Sequence, residues 1–167
     1  KPTFYICNVD ESSVVNGNQF TNNLINVFNS YDAREVILVS ASIESEIANI
    51  ESKDEQNEFL KELGLENTSL DQVIKTGYHL LGLLTFFTAG KKEVRAWTIK
   101  QNTNAAKAAG KIHTDFEKGF IRAETIAYND YVELGGEHPA KNAGKMRQEG
   151  RDYIVQEGDI FHFLFNN

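Results

Sequence analysis

Two short polar segments, each at the end of an apolar run, carry the residue types best suited to ligand chemistry. Asn8-Val9-Asp10-Glu11 closes the run over residues 3–9, and Ser40-Ala41-Ser42 follows the run over residues 35–39. An Asn amide offers both a donor and an acceptor to the edge of a purine, and backbone groups of a strand-end loop can read an exocyclic amino group. In open α/β sheets ligands bind outside the carboxyl ends of strands. Asn8, Val9 and Glu11 on one loop and Ser40, Ala41 and Ser42 on the other are therefore expected to form opposite walls of a purine slot. The pattern also allows a blander reading, in which Asn and Asp only cap and turn the chain.

The remaining candidates are weaker. His113-x-Asp115 with Glu117 nearby has the types of a metal or acid–base cluster. His79 falls on an apolar helical stripe and His162 in a strand. Four histidines and one cysteine have no zinc spacing, so no metal site is expected in this chain. Cys7, inside a strand expected to be buried, reads as an inert core thiol. No G-x-x-x-x-G-K-[ST] occurs. Three Ala-Gly-Lys tripeptides, at 89–91, 109–111 and 143–145, lack the first glycine and the hydroxyl that a phosphate-cradling loop needs. No nucleophilic serine motif is present, and no catalytic residue is expected here.

The elements that would position these residues follow from periodicity. Residues 3–9 form a continuous β-rich run of the kind buried on both faces of a parallel sheet. Phe20, Leu24, Ile25, Val27 and Phe28 have helical spacing, and residues 35–39 make a second short strand. This β-α-β order predicts an α/β layer. Ile43, Ile47 and Ile50, then Phe59, Leu60 and Leu63, are helical up to a stop at Gly64. Ser69 is expected to cap a further helix carrying Leu70, Val73, Ile74, Tyr78 and Leu81. Two strands do not make a stable sheet alone, and the chain starts at Lys1-Pro2 without methionine. Both features suggest a fragment whose other strands lie upstream.

Beyond Gly82 the pattern becomes short strands. Residues 83–88 and 93–100 bracket Ala89-Gly90-Lys91-Lys92 as a hairpin. A helical patch over 104–109, a strand over 120–128, and a hairpin of 152–156 with 160–165 around Glu157-Gly158-Asp159 complete a small α+β fold. Gly135-Gly136-Glu137-His138-Pro139 is expected to be an exposed turn. The boundary between the two parts falls near 80–84.

The chain has 167 residues, is 41% hydrophobic and 25% charged, and has no apolar run of the roughly 18–20 residues that span a bilayer. One cysteine cannot form an internal bridge, so a reducing compartment is expected. The Asn67-Thr68-Ser69 sequon is therefore attributed to chance. The net charge of −7 is uneven: residues 1–81 hold 5 Lys+Arg against 13 Asp+Glu, and residues 82–167 hold 12 against 11. The second part is the better match to a polyanion such as RNA, through Lys91, Lys92, Arg95, Lys111, Lys118 and Arg122. Phe87, Trp97 and Tyr128 are candidates for base stacking, although core packing suits at least two of them.

At Asn8-Val9-Asp10-Glu11 the sequence resembles the NxxE base-recognition loop of the YchF/Obg-like ATPase family. Ser40-Ala41-Ser42, with Ile43-Glu44-Ser45-Glu46-Ile47, resembles that family's following purine-side loop and helix. Residues 86–98, 109–124 and 149–159 continue the likeness over essentially the whole chain, which implies a structural or partner-contact role for His113, Asp115 and Glu117 in the core and a turn. The resemblance implies a fold in two parts: the C-terminal portion of a G-domain-like P-loop NTPase sheet over 1–81, and a TGS (β-grasp) domain over 82–167. It implies a cytoplasmic, ribosome-associated protein, redox- or translation-related, that hydrolyses ATP in preference to GTP, with Mg2+, when intact. The partner would be the ribosome or its RNA, reached through the second part, with neither membrane nor DNA expected.

The base preference has a physical rationale. Relative to a guanine-reading NKxD loop, Val9 stands in place of Lys and Glu11 in place of Asp. A longer carboxylate stem need not meet guanine's donors, and a desolvated carboxylate facing an adenine acceptor would be costly. Asn8 and the Val9 backbone are thus expected to read adenine while Glu11 turns aside. Lacking the phosphate loop, this segment alone is expected to be inactive. The alternative is a nonenzymatic RNA- or protein-binding module with a vestigial nucleotide site.

Overall fold

The computed structural model describes residues 1–31, 35–90 and 93–166. The chain divides into two compact units, Lys1–Leu81 and Gly82–Asn167, each with its own apolar core.

In the first unit, strand β1 (Tyr5–Asn8) is followed by a 3-10 turn (Glu11–Ser13) and helix α1 (Gln19–Tyr31). Asn18 starts α1: its Oδ1 accepts the Phe20 and Thr21 amides at 3.0 and 3.1 Å, while Thr21 Oγ1 accepts the Asn18 amide at 2.8 Å. This reciprocal pair satisfies helix-start donors that would otherwise lack partners. Strand β2 (Val36–Val39) pairs in parallel with β1 in the register Tyr5↔Val36 to Asn8↔Val39. Helices α2 (Ala41–Asn49), α3 (Lys53–Glu62) and α4 (Ser69–Leu80) complete the unit around Val14, Ile43, Ile47 and Leu60.

Two expectations are corrected here. β1 is not buried on both faces. Tyr5 stacks on Phe28 of α1 at 4.3 Å, and α4 packs against β2, where Ile37 is buried, but Ile6 remains 52% exposed and Cys7 half-buried. Sheet burial needs a covering layer on each face, and Ile6 is left without one among the described residues. The cap of α4 is Thr68 rather than Ser69. Thr68 Oγ1 accepts the Asp71 amide at 3.0 Å, which makes Ser69 the first helical residue.

The second unit is a mixed five-stranded sheet in the order β4-β3-β7-β5-β6. Strands β3 (Leu83–Ala89) and β4 (Val94–Lys100) form the expected antiparallel hairpin. Helix α5 (Ala105–Ile112) presents Ala105, Ala106, Ala108 and Ala109 to the sheet, and such small residues allow close approach. A short helix α6 (Thr114–Lys118) leads into β5 (Phe120–Ala127). Then come α7 (Tyr128–Leu134), α8 (Glu137–Asn142), β6 (Arg147–Glu149) and β7 (Asp159–Phe165). β7 lies between β3, to which it is parallel, and β5, to which it is antiparallel. Phe86, fully buried, meets Phe161 and Phe163 of β7 edge-on at 5.6 and 6.1 Å.

The expected hairpin of 152–156 with 160–165 does not form. β7 takes β3 and β5 as partners, and the one backbone bridge made by residues 152–156 among the described residues runs from Ile154 to Asn104, the cap of α5. The reason is Asp159, 2% exposed, whose carboxylate accepts the Tyr153 hydroxyl and the Gln156 amide, each at 2.9 Å, and Arg147 at 3.3 Å. These bonds curl the segment back onto the start of β7. Residues 135–139 are a turn only at Gly135 and Gly136, with φ of 82° and 125°. Glu137 already begins α8.

Candidate functional site

The parallel pairing carries the ends of β1 and β2 to the same edge of the first unit. Val9 donates its N–H to Val39 O at 2.8 Å, extending the ladder one step beyond β1. Across that step Asn8 Oδ1 accepts the Ala41 amide at 3.3 Å, joining residues 33 positions apart. Asn8, Val9, Ser40 and Ala41 therefore sit together. Asn8 is exposed, and with its oxygen engaged the amide nitrogen is the group of its side chain that can donate to a ligand. The Val9 N–H is committed to β2, so its carbonyl is the backbone group able to accept from an exocyclic amine. Its side chain packs on the Val14–Ile43–Ile47 cluster, which fixes the loop.

Ser40 is fully buried, and its hydroxyl lies 3.0 Å from that of exposed Ser42. Ser40 thus lies inside the unit with its hydroxyl engaged by Ser42. Glu11 opens the 3-10 turn, exposed, with no polar contact to Asn8 or to residues 40–42 among the described residues. Its neighbour Asp10 is more tightly held. Hydrogen bonds from Ser13 and then Ser12 hold its carboxyl below the ordinary aspartate value, so it stays ionised.

The sequence places Glu44 in the helix that follows Ser40 but gives no sign of its partner. Glu44, in the first turn of α2, accepts the Ser69 amide on Oε1 at 2.7 Å, tying α2 to the start of α4. The only sequence signal was an acid in the first turn of a helix, a position favoured by the helix dipole alone.

The basic residues of the second unit do not form one cluster. Lys91 and Lys92 lie outside the described residues. Arg95 shares a sheet face with Phe86 and Trp97, and its guanidinium lies 4.2 Å from the Trp97 ring centroid. Lys111 on α5 and Lys118 on α6 are exposed on the helices covering that face. Arg122 pairs with Leu164, its side chain on the opposite face from Ala123 of the core. Arg147 and Arg151 are occupied internally, Arg147 by Glu149 and Asp159 and Arg151 by the Glu117 carbonyl. A cavity of about 430 Å3 opens beside Trp97, lined also by Ile112, Phe116, Phe163 and Phe165. Trp97 packs against the core and donates to Thr88 Oγ1 at 3.0 Å, and Phe87 pairs with half-exposed Tyr128 at 5.8 Å. His113 is an exposed cap, its Nδ1 accepting the Asp115 amide at 3.2 Å, rather than a core residue. No group of three or more His, Cys, Asp or Glu able to hold a metal occurs among the described residues. No helix among them is long and apolar enough to cross a membrane.

Comparison with known proteins bears on the whole chain. Residues 83–166 match the family model YchF-GTPase_C, described as a protein of unknown function (DUF933). This chain belongs to the YchF family. It is 52% identical to the "Ribosome-binding ATPase YchF" of Escherichia coli O157:H7 and 52% identical to that of Bacillus subtilis, with 99% of the chain aligned to 45% of each relative. The chain thus spans about half the length of these curated YchF relatives. Among solved structures it is similar to the Schizosaccharomyces pombe YchF GTPase, with a TM-score of 0.82 and 34% identity over 98% of this chain and 43% of that one. A GTP binding protein from Pyrococcus horikoshii shares the fold, with a TM-score of 0.62 at 18% identity over 96% of this chain and 45% of that one.

Proposed function

We propose that this YchF chain is the C-terminal part of a cytoplasmic, ribosome-associated purine nucleoside triphosphatase acting in translation, with ATP as the preferred substrate. The single observation that carries the reading is the Asn8–Ala41 bond across paired strand ends, because it gives two loops distant in sequence one shared edge. The donor set fits a purine. The Asn8 amide nitrogen can donate to a ring nitrogen, and the Val9 carbonyl can accept from the adenine amino group, where guanine offers an oxygen. That mismatch of two acceptors supports the preference for adenine. The first unit would be the closing portion of a P-loop NTPase sheet, contributing base recognition.

The residues present fit the base and not the phosphates. The phosphate-binding loop and the Mg2+ that neutralises developing charge would belong to the remaining length of the intact protein, and residues 1–167 alone would not hydrolyse nucleotide. The second unit has the sheet order of a β-grasp fold, with its final strand parallel to the first and placed between the hairpin and β5. This supports a TGS domain over 82–167. The likeness to ribosome-binding ATPases supports ribosome contact, for which Arg95, Lys111 and Lys118 on one side of that unit are the proposed phosphate contacts.

The test is equilibrium binding of ATP and GTP to the intact protein. Tighter ATP binding is expected, and Asn8→Ala should weaken it by about tenfold, the value of one well-placed hydrogen bond in a desolvated site. A strong GTP preference, or an unchanged affinity in the variant, would overturn the slot. Ribosome co-sedimentation at low salt, lost as salt rises, checks the partner.

A further inference from the structure

Ser40 caps α2 and Ala41 and Ser42 are its first two residues, so this segment can form a precise wall only if α2 itself is fixed. In its first turn Glu44 N–H donates to Ser40 O at 3.0 Å. The carboxylate of the same residue takes the Ser69 amide at 2.7 Å, a length typical of a charge-assisted bond. Ser69 is the first residue of α4 and is 3% exposed, so its N–H has no access to water as a substitute. One half-buried carboxylate thereby lies at two helix starts. It belongs to the first turn of α2 and satisfies a first-turn donor of α4 that α4 cannot satisfy from its own residues. α4 packs against β2, the strand that leads into Ser40. β2, Ser40, α2 and the start of α4 are thus closed into a ring by a single side-chain bond across 25 residues.

We propose that Glu44 is a positioning residue for purine recognition: through Ser69 it locks α2 and so holds Ser40-Ala41-Ser42 at the distance from Asn8 that accepts a base. The inference rests on the purine-slot reading above. Glu44 itself touches no ligand. Its loss would let α2 shift and loosen the Asn8–Ala41 contact, which at 3.3 Å is already the longer of the bonds joining the two loops.

The experiment uses the intact protein with two probes, ATP and inorganic triphosphate, the second having no base. Glu44→Ala is expected to weaken ATP binding by about tenfold while triphosphate binding stays within about twofold, since only the base wall is disturbed. Glu44→Gln keeps a carbonyl acceptor for Ser69 and should recover most of the affinity. Ser69→Pro provides the reciprocal test. Proline is tolerated at the first helical position and removes only the N–H, and Thr68, at φ −66° and ψ 154°, has the backbone that precedes proline comfortably. Ser69→Pro should reproduce Glu44→Ala even if the alanine variant folds poorly. Equal weakening of both probes, or unchanged ATP binding in Ser69→Pro, overturns the positioning role. A wild-type protein that binds ATP no better than triphosphate overturns the purine slot itself, and this inference with it.

Discussion

Replacing Asp159 by alanine removes the acceptor around which three segments of the second unit are gathered. The Tyr153 hydroxyl and the Gln156 amide each lie 2.9 Å from Oδ2 of a carboxylate only 2% exposed. Each such bond to a buried charge contributes about 1.5–2 kcal/mol. Arg147 at 3.3 Å is about half exposed, and solvent screening limits its share to roughly 0.5–1 kcal/mol. The sum is a destabilisation of about 3.5–5 kcal/mol. With a urea dependence of about 1.5 kcal/mol per molar for a unit of this size, the midpoint should fall by about 2–3 M. Trp97 is the only tryptophan and packs on the second unit's core, so its fluorescence in a urea titration of the 167-residue chain reports on that unit alone. Asp159→Asn retains one acceptor oxygen and should lose about half as much. A midpoint within about 0.3 M of wild type for Asp159→Ala would show that the carboxylate is not what curls residues 152–156 toward β7.

Burial, then the hydrogen bond and charge of Asp159, push the Tyr153 hydroxyl up to about 12 from an ordinary value near 10. Because the folded value is the higher one, the stabilisation is complete below pH 10 and is lost as pH rises from 10 towards 12. Tyr153→Phe should therefore flatten the fall in stability over that window, measured as urea midpoint against pH, and an unchanged slope would contradict the assignment. Gly17 has φ of 71°, and a Cβ there would lie 2.5 Å from Thr21 Oγ1, the hydroxyl that helps start α1. Gly17→Ala should destabilise the first unit by about 1–3 kcal/mol, read as an earlier loss of helical circular dichroism on heating while the Trp97 signal keeps its midpoint.

Part of this was legible in the sequence because short-range rules sufficed. Ala89-Gly90 between two apolar runs marks a hairpin, and β3 pairs with β4 from Leu83↔Lys100 to Ala89↔Val94. Gly64, with φ of 74°, stands where the helical pattern stops. The meeting of Asn8 with Ala41 followed from a rule about strand ends, which needs only that both strands run the same way. Most of the misses share a cause: a tertiary partner overrode local composition. β6, Arg147-Gln148-Glu149, has no apolar alternation at all and is a strand only because β5 needs an edge partner. Residues 152–156 look strand-like, yet the Asp159 carboxylate supplies better bonds than a ladder would. α6 is too short for periodicity to show. Glu44 reaches Ser69 across 25 residues, and no local pattern encodes that distance.

The placement of β7 has a bearing on how the second unit is made. Synthesis runs from the amino end, so the hairpin, the helices α5–α8 and β5 all exist before the strand that must separate the hairpin from β5. Until residues 159–165 arrive, Phe86 has no aromatic neighbours from the centre, and β3 and β5 each present an open edge able to pair wrongly. Contacts so distant along the chain form slowly. The unit is therefore expected to fold in a single late step rather than progressively, with its nascent form the one most in need of protection from aggregation.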